Sequence, residues 1–466
     1  MMRLRTSGRE LVAAVLAWAG AAGCDRPSPG ADAGSTRGFT VRDSGDIEIV
    51  ENHAPEYPLG QFWTLDPEPE IVLGGGAGSG EALPGGASAR DDPGQLIWRV
   101  VGVARLEDGR VAVLSQGNHQ LYLFEPSGEL SAVIGGRGEG PGEFDRPQLL
   151  QYLAPDTLAV WDYWFAPASY FDTGGTLLGE RSIDLLKLMA RVPGTSAESH
   201  VIPFVNGSFV VFGGGEPTSP PPAGAFYRPP VDLALVDSMY TAHPLGSWAV
   251  WQLWIPETRD DAFLMILLVD LHIATGGDPP SIYIGDGERN DIHQFSQEGS
   301  LVRIIRRTAG PVPVTDRGHE SWLATLEASY EDMESGFGVS WEDLSRGMPR
   351  REAYPPVAGL VVDADGHLWV REWSAAEPGM PDQWSVFSPE GRWLGVVRGV
   401  PDLFLCHQRL SPCWVDRDFL LGVRRDELGV ERVEGYRIRR DGGAASSAAR
   451  DSGNDGRGQA IARAPR

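Results

Sequence analysis

Three stretches of this 466-residue chain share one spacing, and a fourth extends it. In each, a tight turn is followed by an apolar-alternating run and then by a Phe-x-x-x-Gly motif. The distance from turn to Phe is 15 residues from Gly109 to Phe124, 15 from Asp156 to Phe171 and 15 from Pro280 to Phe295. It is 21 from Gly366 to Phe387. A repeat of this size is one supersecondary unit that cannot bury its apolar face alone, so copies must stack on one another. In the first copy, Gly102 to Pro147, a D-G turn, a G-N turn, a P-S-G turn and a Gly-rich loop separate four alternating runs. That pattern predicts one four-stranded antiparallel sheet per copy.

The same plan recurs from Gln148 to Leu185, around SIYIGD, and around HLWVRE. A degenerate copy starts at Asn206 and carries a Pro-rich insertion at 216–230. The last copy, Asp418 to Ile438, has no fourth strand of its own. The missing strand is expected from the other end of the chain, because EPEIVLGGGAGSG (Glu68 to Gly80) parallels ELSAVIGGRGEGPG of the first copy. Closing the ring in this way removes exposed sheet edges. The fold class expected is all-β, a six-bladed β-propeller of four-stranded antiparallel blades over residues 40–440. Ile47 to Asn52 is an extra strand without an assigned place. Gly and Pro together make up about a fifth of the chain, which suits many short strands joined by turns. Residues 315–350 depart from the pattern: Trp322, Leu323, Leu326 and Tyr330 fall at three-to-four spacing, which predicts a helical insertion between blades four and five.

The ends carry an address. Arg3, Arg5 and Arg9 precede the apolar run Leu11 to Ala22, which is shorter than the roughly 20 residues a membrane span needs and reads as an export signal over 1–24. Its end, Ala21-Ala22-Gly23-Cys24, resembles the lipobox of bacterial lipoproteins, which implies a lipid on Cys24 and a cell-envelope location. Residues 25–39 then read as a flexible tether, and 441–466, rich in Gly, Ala, Ser and Arg, as a disordered tail. In an exported chain Cys406 and Cys413 read as a local disulfide. His407 is the one further hint of a metal site there, short of the four ligands that structural zinc needs. A net charge of −24 counts against nucleic acid as a partner.

The loop IGGRGEGPGEF, preceded by DGRVAVLSQGNHQLYLFEPSGEL, is similar to an NHL-type repeat, and the plan over residues 40–440 resembles bacterial six-bladed β-propeller lipoproteins. This resemblance implies a fold rather than a chemistry, since such propellers include scaffolds, ligand binders and enzymes.

Candidate chemistry clusters at one position of the repeat. Six residues after each first turn stand Ser115, Asp162, Asp286 and Glu372, all expected on the face of the Gly-rich loops. Three carboxylates from different blades suit a Ca²⁺ ion at the mouth of the central channel, and the resemblance implies that related hydrolases polarise a carbonyl with such a metal. The plainer reading is that each caps the turn that follows it. Trp161 and Trp369, beside Asp162 and Glu372, suit a sugar face or a cation, or else blade packing. The run Gly135 to Gly142 precedes a strand, so it reads as a blade connection and not a phosphate loop. His119, His293 and His367 read as surface residues, and Arg424, Arg425, Asp426, Glu427 and Glu431 as exposed ion pairs. The chain has no G-x-S-x-G elbow and no H-E-x-x-H. The function expected is a lipid-anchored, non-catalytic binding or scaffold module for an envelope protein, peptide or glycan, needing no cofactor. The alternative is a Ca²⁺-dependent hydrolase or lactonase using Asp162, Asp286 and Glu372.

Overall fold

The computed structural model describes residues 38–74, 97–162, 168–193, 200–213, 222–249, 252–256, 264–266, 271–331, 340–373, 382–404, 413–426 and 429–440. They form a six-bladed β-propeller. Blade 1 consists of Val100–Arg105, Val111–Ser115, Gln120–Phe124 and Leu130–Gly135. Blade 2 runs from Leu149–Leu153 to Leu177–Arg181, blade 3 from His200–Pro203 to Ala242–Ala249, blade 4 from His272–Gly276 to Leu301–Arg307 and blade 5 from Gly359–Val362 to Trp393–Arg398. Every pairing between consecutive strands of these blades is antiparallel.

Blade 6 is composite. Its middle strands are Phe419–Arg425 and Glu431–Arg439, and its outer edge is supplied by Thr64–Leu65 and Ile71–Gly74 from the N-terminal side. The chain thus closes the ring as the repeat count requires. The strand Ile47–Asn52, together with its hairpin partner Phe39–Ser44, lies parallel on the outer strand of blade 4, from Glu48 opposite Arg303 to Asn52 opposite Arg307. Residues 38–74 then pass along blade 5, where the N–H groups of Glu56 and Tyr57 donate to the carbonyls of Trp393 and Leu394. This segment covers the open edges of blades 4 and 5 before it completes blade 6, whereas the outer strand of blade 2, Leu177–Arg181, stays largely exposed.

Side-chain alternation explains why the ring packs. In blade 1, Val111 and Val113 point into the core shared with blade 6, whereas Ala112 and Leu114 point into the core shared with blade 2. A strand with both faces covered by neighbours must be apolar throughout, and the second strand of blade 1 is buried at every residue. The same alternation builds a core at each of the remaining interfaces, between blades 2 and 3, 3 and 4, 4 and 5, and 5 and 6. Buried Asn52 joins two blades: its Nδ2 donates to the carbonyls of Gly391 (3.0 Å) and Arg306 (3.3 Å), and its Oδ1 accepts from the Trp393 N–H (2.8 Å).

Among the described residues, three α-helices interrupt the strands: α1 at Leu185–Met189, α2 at Asp316–Glu331 and α3 at Trp341–Ser345. The last two lie between blades 4 and 5. No helix among the described residues is long and apolar enough to cross a membrane.

Candidate functional site

In blade 2 the end of the second strand meets the loop that leads in from blade 1. Asp162 shows how the carboxylate is used. Its Oδ2 accepts from the Asp145 N–H (2.7 Å) and its Oδ1 from the Arg146 N–H (2.6 Å), which fixes the end of the Gly-rich loop from blade 1. Asp286 accepts from the N–H groups of Glu288 (3.1 Å) and Arg289 (3.0 Å) through Oδ1, and from Arg289 Nε (2.8 Å) through Oδ2. Glu372 accepts from the Arg307 guanidinium and from the Ser385 hydroxyl. Ser115 donates to the Trp98 carbonyl (2.7 Å) and accepts from the Asn118 N–H (3.3 Å). All four therefore have internal partners. Asp162 and Asp286 engage both of their carboxylate oxygens, and Glu372 faces a guanidinium, which competes directly with a cation.

This donor set does not fit a Ca²⁺ ion, which takes six to eight oxygens converging from several segments. Among the described residues no three His, Cys, Asp or Glu gather in a metal-holding group. Trp161 and Trp369 are 4% and 1% exposed. The first donates to Gln151 Oε1 (2.7 Å) in the core between blades 2 and 3, and the second to Asp363 Oδ2 (3.1 Å) in the core between blades 5 and 6. Neither presents a ring face to solvent. Cys413 is disulfide-bonded. Cys24, Cys406 and His407 lie outside the described residues.

Two expectations are corrected. Arg424 pairs with Glu434 (2.9 Å) and Arg425 with Glu431 (2.7 Å), but Glu434 and Glu431 are buried, not exposed. Glu431 also accepts the Val100 N–H at 2.7 Å, so it joins blade 6 to blade 1. Burial and the hydrogen bond to Glu434 push the Tyr436 hydroxyl up to about 12. His293 and His367 are packed rather than free: His293 meets Trp248 edge to face at 4.9 Å, and His367 bonds Asp363 at 3.1 Å.

The face of the second-strand ends carries a cap that the repeat does not predict as a unit. It is assembled from insertions at three places. A three-stranded sheet combines Ala225–Tyr227, from inside blade 3, with Gln252–Ile255 and Leu264–Ile266, from the connection to blade 4. Helices α2 and α3 come from the next connection. Their apolar stripe, Trp322, Leu323, Leu326 and Tyr330, packs with Trp254, Phe226 and Leu344 in a core of the cap's own. Trp254 is fully buried and donates to the Leu344 carbonyl at 2.7 Å, which ties sheet to helix.

Arg228 joins this cap to the ring. Arg228 donates to the carbonyls of Ala249 (2.9 Å) and Asp286 (2.6 Å) and pairs with Glu288 at 3.1 Å. Arg351 donates to Gln252 Oε1 at 2.6 Å. Trp373, immediately after Glu372, belongs to the cap core and lies parallel to Tyr354, with centroids 6.4 Å apart. Where α2 meets the blade 5 side of the ring there is a pocket of about 20 Å³. Arg228, Arg351 and Gln252 escaped sequence reasoning because they lie in insertions, where no repeat supplies an equivalent position.

No family model matches the chain, and no curated protein does. Solved structures that it is similar to include a putative exported protein from Bacteroides fragilis, at 11% identity and TM-score 0.39 over 84% of this chain and 98% of that one. Another is the calcium-binding protein regucalcin from Agrobacterium tumefaciens, at 13% identity and TM-score 0.32 over 74% and 92%. A third is a gluconolactonase from Xanthomonas campestris, at 13% identity and TM-score 0.33 over 74% and 87%. At these values the likeness transfers neither ligand nor activity to this chain.

Proposed function

We propose that the chain is an exported, lipid-anchored binding module that takes an envelope protein, peptide or glycan on the capped face of the propeller and performs no reaction. The observation that carries this reading is the use of the three candidate carboxylates. Asp162 holds a loop, Asp286 caps its own turn and supports Arg289, and Glu372 sits on Arg307. A hydrolase of the Ca²⁺ type needs these oxygens free and converging. The export run and Cys24 support the address, with the lipid as the contact with the membrane.

The deciding experiment is the thermal midpoint of the full chain in detergent, with Ca²⁺ and with chelator, for the wild type and Asp286→Asn, alongside ester and lactone turnover. A ligand that binds only the folded state must raise the midpoint by mass action. The binding reading expects no Ca²⁺-dependent rise and no turnover. A rise that Asp286→Asn abolishes, with turnover lost in parallel, would overturn it in favour of a lactonase or esterase. In the same cells Cys24→Ser should move the chain out of the membrane fraction, and unchanged fractionation would remove the lipid anchor.

A further inference from the structure

Trp98 stands at the end of the second strand of blade 1, at the one repeat position of the four that has Ser115 in place of a carboxylate. It is 52% exposed, yet its ring is held in place. An added Cβ at Gly117 would stand 2.4 Å from Trp98 Cε2 and 2.5 Å from Cδ2, the two atoms that the fused rings share. An edge-on approach would meet peripheral ring atoms first, so the indole lies flat on Gly117, and only glycine leaves it room. The exposure therefore belongs to the other face of the ring, where no second ring and no cation stacks among the described residues.

The backbone here is fixed as firmly as the ring. The Trp98 carbonyl accepts from Ser115 Oγ (2.7 Å) and from the Gly117 N–H (3.2 Å), the Arg99 carbonyl accepts the Gln116 N–H (3.0 Å), and the Val100 N–H donates to Glu431 (2.7 Å). Between these ties Arg99 is held at φ +52°, a left-handed conformation that persists in a residue with a side chain only where the surroundings impose it. That turn breaks the alternation of an extended strand, which would send side chains 98 and 99 to opposite sides, and both are exposed. The Arg99 guanidinium has no hydrogen-bond or ion-pair partner among the described residues. Glu431, the acid that holds the next residue, is already paired with Arg425 at 2.7 Å. Main-chain groups on both sides of the site are engaged internally, so an extended peptide finds little backbone pairing there. A net charge of −24 repels a polyphosphate. What remains is one flat π face, negative at its centre, and one planar cation next to it in the chain. The polarised C–H bonds of a pyranose ring suit the first, and a carboxylate suits the second.

We propose that Trp98 and Arg99 form a subsite for an acidic sugar of an envelope glycan, a hexuronate unit whose ring lies on the open face of the Trp98 indole and whose carboxylate takes the Arg99 guanidinium. The inference rests on the binding reading above and selects a glycan among the partners that reading allows. Calorimetry on the full chain in detergent, with chelator present, tests it with trigalacturonate against its methyl ester. The acid should bind saturably and about tenfold tighter than the ester. Arg99→Gln should remove that preference, and Trp98→Ala should weaken acid and ester alike by about tenfold. Gly117→Ala, whose methyl group displaces the indole and leaves every polar group in place, should act like Trp98→Ala. Arg99→Gln changes an exposed side chain without partners, so it decides the matter even if the ring variants do not fold. No saturable binding of trigalacturonate, equal binding of acid and ester, or binding unchanged in Arg99→Gln overturns the proposal. Saturable binding of triglutamate without trigalacturonate overturns it too, and makes the site a contact for an acidic protein segment. Such a failure leaves the binding reading standing, whereas Ca²⁺-dependent turnover would sink that reading whatever this subsite does.

Discussion

His293 shows what burial does to one titratable group. It lies in the third strand of blade 4, edge-on to Trp248 of blade 3, with Arg289, Arg306, Asp291 and Asp286 acting on it. Burial, followed by the Arg289 charge, depresses its pKa below the ordinary 6.5. The folded state therefore binds its proton less readily than the unfolded chain does. The stability linked to this group is complete above about pH 6.5 and is lost as pH falls through the folded pKa. Asp291 adds a second, more acidic step: burial would raise its pKa, but the bidentate pair with Arg306 at 2.8 and 2.9 Å outweighs this and lowers it. That stability is present above the unfolded value near 4 and disappears below it. Urea midpoints measured from pH 7 to pH 3 should begin to fall as pH drops below 6.5, and this first fall should be absent in His293→Gln. An identical decline in the variant would assign the proton to another group.

At the scale of the element, the Phe-x-x-x-Gly motif is the clearest link between sequence and structure. Each of its four Phe residues sits at a register shift between the third and fourth strands, at Leu123/Phe124, Tyr170/Phe171, Gln294/Phe295 and Val386/Phe387. Each Gly follows at a positive φ, +88° at Gly128, +90° at Gly175, and +82° at Gly299 and Gly391. The motif is thus a bulge followed by a left-handed turn residue, and its spacing is constant because both have a fixed residue count. Blade 3 keeps the bulge, at Leu233/Ala234, but puts Tyr240 at the left-handed position with φ +63°, which is why its copy looked degenerate. The ring of Tyr240 lies 4.0 Å from Lys187 Nζ, a contact that no glycine makes. At Gly391 an added Cβ would stand 2.9 Å from Ile305 Cγ1 in blade 4, whereas at Gly45, φ +64°, it would meet nothing. Gly391→Ala should then cost about 2 kcal/mol or more in urea unfolding, and Gly45→Ala about 1 kcal/mol, from backbone strain alone. Equal costs would mean that blades 4 and 5 give way freely at this contact.

For the whole molecule, the ring was legible, and so was the helical insertion between blades 4 and 5, whereas the rest of the cap was not. Blade strands are constrained on both faces, so Val111 to Leu114 or Ser281 to Gly285 must read as apolar runs bounded by turns wherever a blade recurs. The cap binds only its own parts and one face of the ring, so Trp254 and Arg351 obey no period. The carboxylates fall between these cases: the offset that aligned Asp162, Asp286 and Glu372 is real, but it records where second strands end and leaves open what each oxygen holds. Closure is the property that belongs to the ring alone. Ile71–Gly74 pairs antiparallel with Glu431–Arg439, Asp66 and Glu70 hold Arg439 and Arg437 in bidentate pairs, and Leu73 is 1% exposed in the core between blades 6 and 1. Val72, on the opposite side of the same strand, is 47% exposed. Leu73→Asp buries an unpaired charge at the seam and should cost more than about 4 kcal/mol, while Val72→Asp should stay within about 0.5 kcal/mol. Hydrogen exchange tells how far the damage spreads. If blades contact only their neighbours energetically, exchange in Leu73→Asp should accelerate over the strands of blades 1 and 6 and leave blades 3 and 4 protected. Acceleration spread evenly over all six blades would instead make the ring one cooperative unit, in which the N-terminal strand stabilises blades it never touches.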